Sequence, residues 1–139
     1  VGGTVKSVLV ELPGGAWRGA GGDASTLREG KFVRILAGRS VEFLVLGDGR
    51  RYGYHADVVE AFCSGDGRML AGHRERGRHE IDEPGWSVAG GGRFLLDGER
   101  RSLVLYGRSI AYGRFDGTGL AERLSALPLL AGWTVTVSP

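Results

Sequence analysis

Glycine constrains this chain more than any other feature. There are 26 glycines in 139 residues against only 4 prolines, and many stand in clusters such as Gly14-Gly15, Gly21-Gly22 and Gly90-Gly91-Gly92. A collagen-like strand is excluded because no three-residue period exists, and no longer repeat indicates a solenoid. Short apolar runs fill the spaces between clusters, so the pattern reads as many tight turns, with one cluster free to let a ligand approach the backbone. The length suits one hydrophobic core, and no linker is long enough to divide it. A single domain over 1–139 is expected.

The runs have two periods. Val5 to Leu12 is short and β-branched and ends at Pro13, so it reads as a strand, followed by an exposed loop from Ala16 to Gly30. Lys31 to Ala37 and Val41 to Leu46 alternate as strands. At Tyr54 to Cys63 the period changes: Val58, Val59 and Phe62 fall at helical spacing from His55, which stands in the first turn. Arg68 to Pro84 is charged and irregular and reads as an excursion or weak strand. Trp86 to Ala89, Arg93 to Leu96 and Ser102 to Tyr106 read as strands, with a hairpin turn at Asp97 to Arg100. Thr118 is placed to cap a second helix carrying Leu120, Leu124 and Leu127, which Pro128 limits, and Trp133 to Val137 alternates as a last strand. The expected fold is α+β: one mixed sheet of about six strands packed with two main helices.

Composition narrows the functional classes. Net charge is only +2, with charged residues at 24%, well short of a nucleic-acid-binding signature but favourable to anions. The run Arg68 to Arg78 is interrupted by Glu75 and reads as solvated surface. The apolar stretch Leu124 to Trp133 is broken by Pro128 and Gly132 and is too short to span a bilayer. Cys63 is alone, which suits a reducing compartment, and no secretion signal stands out. A cytoplasmic monomer is expected, without nucleic-acid or membrane partners and without a cofactor.

Three histidines differ in promise. His73 and His79 lie six residues apart among arginines. Two imidazoles with no third ligand and flanking cations make a poor metal site, so solvent-exposed histidines are the expectation there. His55 sits at a helix start, where free N–H groups and the helix field attract phosphate and disfavour imidazolium. Such a histidine commonly only caps or packs. The run Gly90-Gly91-Gly92-Arg93 offers either an anion approach with an arginine fork or merely a bulge or turn. It lacks the GK[ST] ending of a phosphate loop, and no GxSxG elbow surrounds Ser109.

Taken together and in order, Tyr54-His55-Ala56-Asp57-Val58, Gly90-Gly91-Gly92-Arg93-Phe94 and Tyr106-Gly107-Arg108-Ser109-Ile110-Ala111-Tyr112-Gly113 resemble the Janus/phosphohistidine phosphatase family. The resemblance spans nearly the whole chain. It implies a small mixed-sheet, metal-independent enzyme that removes phosphate from phosphohistidine in proteins. On that resemblance His55 is the catalytic base or nucleophile. Ala56, Ser109 and Ala111 hold phosphate oxygens, Lys31 contacts phosphate and Arg93 binds substrate. Arg50 or Arg51 stands in for a further arginine of the family. Two departures are the stretch between the first helix and Gly90, longer by roughly a dozen residues, and Arg114 where the family often carries proline. The expected substrate is a phosphorylated protein or a small phosphoramidate such as phospholysine. The alternative is a non-catalytic phospho-ligand binding module on the same fold.

Overall fold

A computed structural model describes residues 5–13, 27–66 and 78–139. Six strands form one sheet: β1 (Lys6–Glu11), β2 (Leu27–Ala37), β3 (Val41–Asp48), β4 (Trp86–Asp97), β5 (Ser102–Tyr106) and β6 (Thr134–Ser138). Their spatial order is β1-β3-β2-β4-β5-β6. The two outer pairs, β1 with β3 and β5 with β6, are parallel, and the inner pairs are antiparallel. With helices α1 (His55–Asp66) and α2 (Leu120–Ser125), this is the α+β fold with a mixed sheet.

Alternation along the strands builds two cores, one per face. Phe32, Leu44, Phe94, Leu103 and Leu105 bury one face together with Leu120 and Leu124 of α2. Val33, Ile35 and Val45 bury the other with Val58, Val59, Phe62 and Cys63 of α1. Phe43, at the edge of the second core, stacks on Trp86 with centroids 5.4 Å apart. No helix among the described residues is long and apolar enough to cross a membrane.

Four expectations are corrected. Leu27 to Gly30 is not loop but the start of β2, paired with β4 from Leu27↔Asp97 onward; the rest of the expected loop, 16–26, lies outside the described residues. Trp86 to Ala89 and Arg93 to Leu96 are one continuous strand, so the triple glycine does not interrupt the sheet. Thr118 does not cap α2: Gly119 is the N-cap, in the left-handed region, and the Thr118 N–H instead donates to Asp116 Oδ1 at 3.0 Å. His79 is buried, at 6% exposure, rather than solvent-exposed. His73 and most of the charged excursion lie outside the described residues.

The glycine run has a mechanical explanation. Val33 pairs with Gly91 and Ile35 with Val88, so Ala89 and Gly90 together face the single residue Arg34. That is a β-bulge, and Gly90 takes φ +96, which side-chain-bearing residues rarely adopt. A Cβ on Gly91 would stand 2.5 Å from the Phe32 carbonyl oxygen and 3.1 Å from His55 Cδ2. The glycines therefore let α1 and the chain around Arg114 close onto β4.

Candidate functional site

Tyr54 immediately precedes α1, and its N–H donates to Asp57 Oδ2, in the first turn of the helix, at 3.1 Å. The Tyr54 carbonyl in turn accepts from the Asp57 N–H at 3.0 Å. This reciprocal cap fixes the first turn and hence the entry of His55 into the site. The Ala56 N–H is among those that helix geometry leaves without an intrahelical acceptor.

His55 is seated against β4. Its Nε2 lies 2.8 Å from the Gly92 carbonyl oxygen. Since a carbonyl only accepts, Nε2 carries the proton and Nδ1 keeps the lone pair. Burial pushes the imidazole below its ordinary value of 6.5, partly opposed by the Gly92 bond; Lys31 and Arg93 push it further in the same direction as burial. The sequence led us to expect a neutral ring, held so by the helix field. The direction is the same, but desolvation and two cations are the causes.

Lys31 and Arg93 are register partners across β2 and β4, and Tyr106 of β5 pairs with Arg93. They lie on the α1 face, two residues before Val33 and two after Gly91 respectively. A cleft of about 490 Å³ opens beside them, lined by Arg28, Lys31, Arg50, Arg93, Asp48 and Tyr106 among others. Arg50 is thereby separated from Arg51. Arg50 shares this cleft and reaches Asp48 Oδ2 at 3.2 Å, whereas Arg51 stacks over the Tyr52 ring at 5.7 Å. Arg28 also pairs with Asp48, at 3.3 Å, so the buried Asp48 carboxylate offsets part of the positive charge. The Arg50 hydrogen bonds hold Asp48 below the usual carboxylate range despite its desolvation.

The turn from Ser109 to Gly113 reaches the same place through Gly91. Gly113 O accepts from the Ser109 N–H at 3.1 Å and from the Gly91 N–H at 3.2 Å, and the Gly113 N–H returns to Ser109 O at 2.8 Å. Ser109 Oγ accepts the Tyr112 N–H at 3.0 Å, so its own proton remains available to donate. Gly91 is thus the common neighbour of the His55 ring and of the turn bearing Ser109 and Ala111. Exposure is graded: Arg93 is exposed, Lys31 and Ala111 are half-buried, and His55, Ser109 and Ala56 are buried at 8%, 1% and 0%. The Gly91 N–H is committed to Gly113 O and the Gly92 carbonyl to His55, so these two groups hold the site together from behind.

Sequence reasoning missed Tyr112 and Asp48. Tyr112 belongs to a motif already singled out, but its hydroxyl partner, His79, is 33 residues away. Asp48 gave a local signal only in its proximity to Arg50. Among the described residues no group of three or more His, Cys, Asp or Glu is arranged to hold a metal ion. No protein-family model matches this chain, and no curated protein sequence does.

Proposed function

We propose that this chain is a phosphatase of the Janus/phosphohistidine type, hydrolysing phosphohistidine or a related phosphoramidate such as phospholysine without a metal ion. The observation that carries the reading is the His55 tautomer. With Nε2–H held by the Gly92 carbonyl, Nδ1 keeps a lone pair on a ring that feels the charges of Lys31 and Arg93. A neutral imidazole next to fixed cations is suited to meet a phosphoryl group, whose charge the cations attract.

Two routes use the same geometry. In one, Nδ1 attacks phosphorus as the P–N bond to the leaving nitrogen breaks, and water then releases phosphate from His55. In the other, Nδ1 takes a proton from a water whose oxygen bonds phosphorus as the P–N bond breaks, and the leaving nitrogen departs with that proton passed on from the ring. Either way the ring becomes cationic, and the Gly92 carbonyl favours that cation through the Nε2–H bond. Lys31, the Ser109 hydroxyl and the N–H groups of Ala56 and Ala111 would stabilise the charge spread over the equatorial oxygens, and Arg93 would hold the substrate. The test is turnover of phosphohistidine peptide and phospholysine by wild type and by His55→Ala. Loss of at least about a hundredfold in kcat/KM is expected for a general base or nucleophile; activity near wild type would remove the reading. Phosphate binding with no turnover by wild type would favour the non-catalytic module.

A further inference from the structure

We propose that Tyr112 is a positioning residue for the Ser109–Gly113 turn, with the segment Arg78–Ile81 as its anchor. For catalysis this rests on the phosphatase reading, because it assigns what holds that reading's serine in place. The main chain of Tyr112 orients the Ser109 hydroxyl: its N–H donates to Ser109 Oγ at 3.0 Å. The side chain reaches the opposite way. Tyr112 Oη accepts the His79 N–H at 2.7 Å and donates to the His79 carbonyl at 2.9 Å. One hydroxyl therefore satisfies both backbone groups of a residue 33 positions away.

The surroundings show that this clamp, and not the imidazole, seats the segment. His79 is buried, yet neither ring nitrogen has a hydrogen-bond partner among the described residues, and Nε2 stands 3.6 Å from Glu60 Oε2 of α1. Arg78 lies over the Tyr112 ring at 5.3 Å from its centroid, and its guanidinium also pairs with Glu80 at 2.9 Å. Ile81 is buried in the same core cluster against which Tyr112 packs. The chain returning toward β4 after α1 is thus docked on the residue that sets the Ser109 hydroxyl. The turn from Ser109 to Gly113 is bridged at its ends, and Tyr112 in its interior carries the side chain that reaches His79. The donors of the turn are preorganised for a phosphoryl group only while the anchor is in place.

Tyr112→Phe removes both bonds to His79 and keeps the ring. Hydrogen exchange at the Gly113 amide, which is bonded to Ser109 O, is expected to accelerate about tenfold, as for loss of a hydrogen-bonded clamp. With a phosphoramidate substrate kcat/KM is expected to fall about tenfold with the acid limb of its pH profile unmoved, since the donors to the phosphoryl group are loosened while His55 is untouched. His79→Ala keeps the main-chain groups and should leave both readouts near wild type. Unchanged Gly113 exchange in Tyr112→Phe overturns the proposal. So does a lowered melting temperature with kcat/KM unmoved, or His79→Ala behaving like Tyr112→Phe. If wild type turns over no phosphoramidate, the phosphatase reading fails separately, and the exchange comparison still decides the role of Tyr112.

Discussion

The pKa of the His55 imidazole is pushed down by the burial that desolvates it and by the cations of Lys31 and Arg93. Lys31→Met removes one cation and leaves an apolar stem, so the His55 pKa should rise toward 6.5, measurable by NMR titration of the ring. The acid limb of the kcat/KM profile should move to higher pH with it. An unmoved titration would show that Lys31 does not act on the ring. Gly91 supplies the matching steric test. Gly91→Ala would place a methyl 2.5 Å from the Phe32 carbonyl and 3.1 Å from the His55 ring. The expected cost is roughly 1–3 kcal/mol in urea denaturation, as for overpacking, with a larger proportional loss of turnover because the ring is displaced. At this scale the sequence was partly legible. Helical spacing after His55 placed it at a helix start, where α1 begins; the roles expected of Lys31, Arg93 and Ser109 came from the family resemblance alone. A bulge was among the readings of the glycine run and is what forms; what was not legible is that a carbonyl and a ring on other elements leave no room for a side chain at Gly91. His79 was misread for the same reason: its burial is imposed by Tyr112 and α1, not by its charged neighbours in the chain.

At the scale of elements, the joint between α2 and the sheet is made by Glu42. This β3 residue has no exposed surface, yet it accepts from Arg34 of β2 at 2.8 Å and from Arg123 of α2 at 2.6 Å. Ser7 of β1 donates to the same carboxylate. Four elements meet at one charge. Desolvation would raise the Glu42 pKa, but the hydrogen bonds from Arg123, Ser7 and Arg34 outweigh it and hold the carboxyl below its ordinary 4.5. Glu42→Gln leaves two guanidinium groups facing a neutral amide, and a loss of roughly 3 kcal/mol is expected from denaturant midpoints. A loss under about 0.5 kcal/mol would mean that solvent screens the cluster. The alternation of Val41 to Leu46 was readable as a strand, but a glutamate within it gives no sign of burial. Its partners lie 35, 8 and 81 residues away. The split assigned to β4 failed similarly: a glycine run is a turn signal locally, and only pairing with β2 makes it a bulge inside one strand.

For the whole molecule, these groups combine into a stability profile with a definite sign. His55 has a depressed pKa in the folded state, so below 6.5 the unfolded chain takes up its proton first. Stability from His55 is therefore full above 6.5 and declines as pH falls from there toward the folded value. Glu42 and Asp48 are also depressed, from 4.5 and 3.8, but as carboxylates they stabilise the fold while ionised. Their contribution is present above those values and is lost as pH falls through the lower, folded ones. Two separate declines are expected: a shallow one on the acid side of neutrality, and a steeper one in the carboxylate range. Urea midpoints measured across pH should resolve them. His55→Gln should flatten the first decline and leave the second, because Gln does not titrate while the Glu42 cluster is intact. Glu42→Gln should lower the curve above the carboxylate range and shrink the second decline to the part that Asp48 carries, while leaving the first. If both substitutions change the same limb, His55 and Glu42 are not independent. The two faces of the sheet, one packed with α1 and the other with α2, would then be coupled through β2 and β3, which carry residues of both cores.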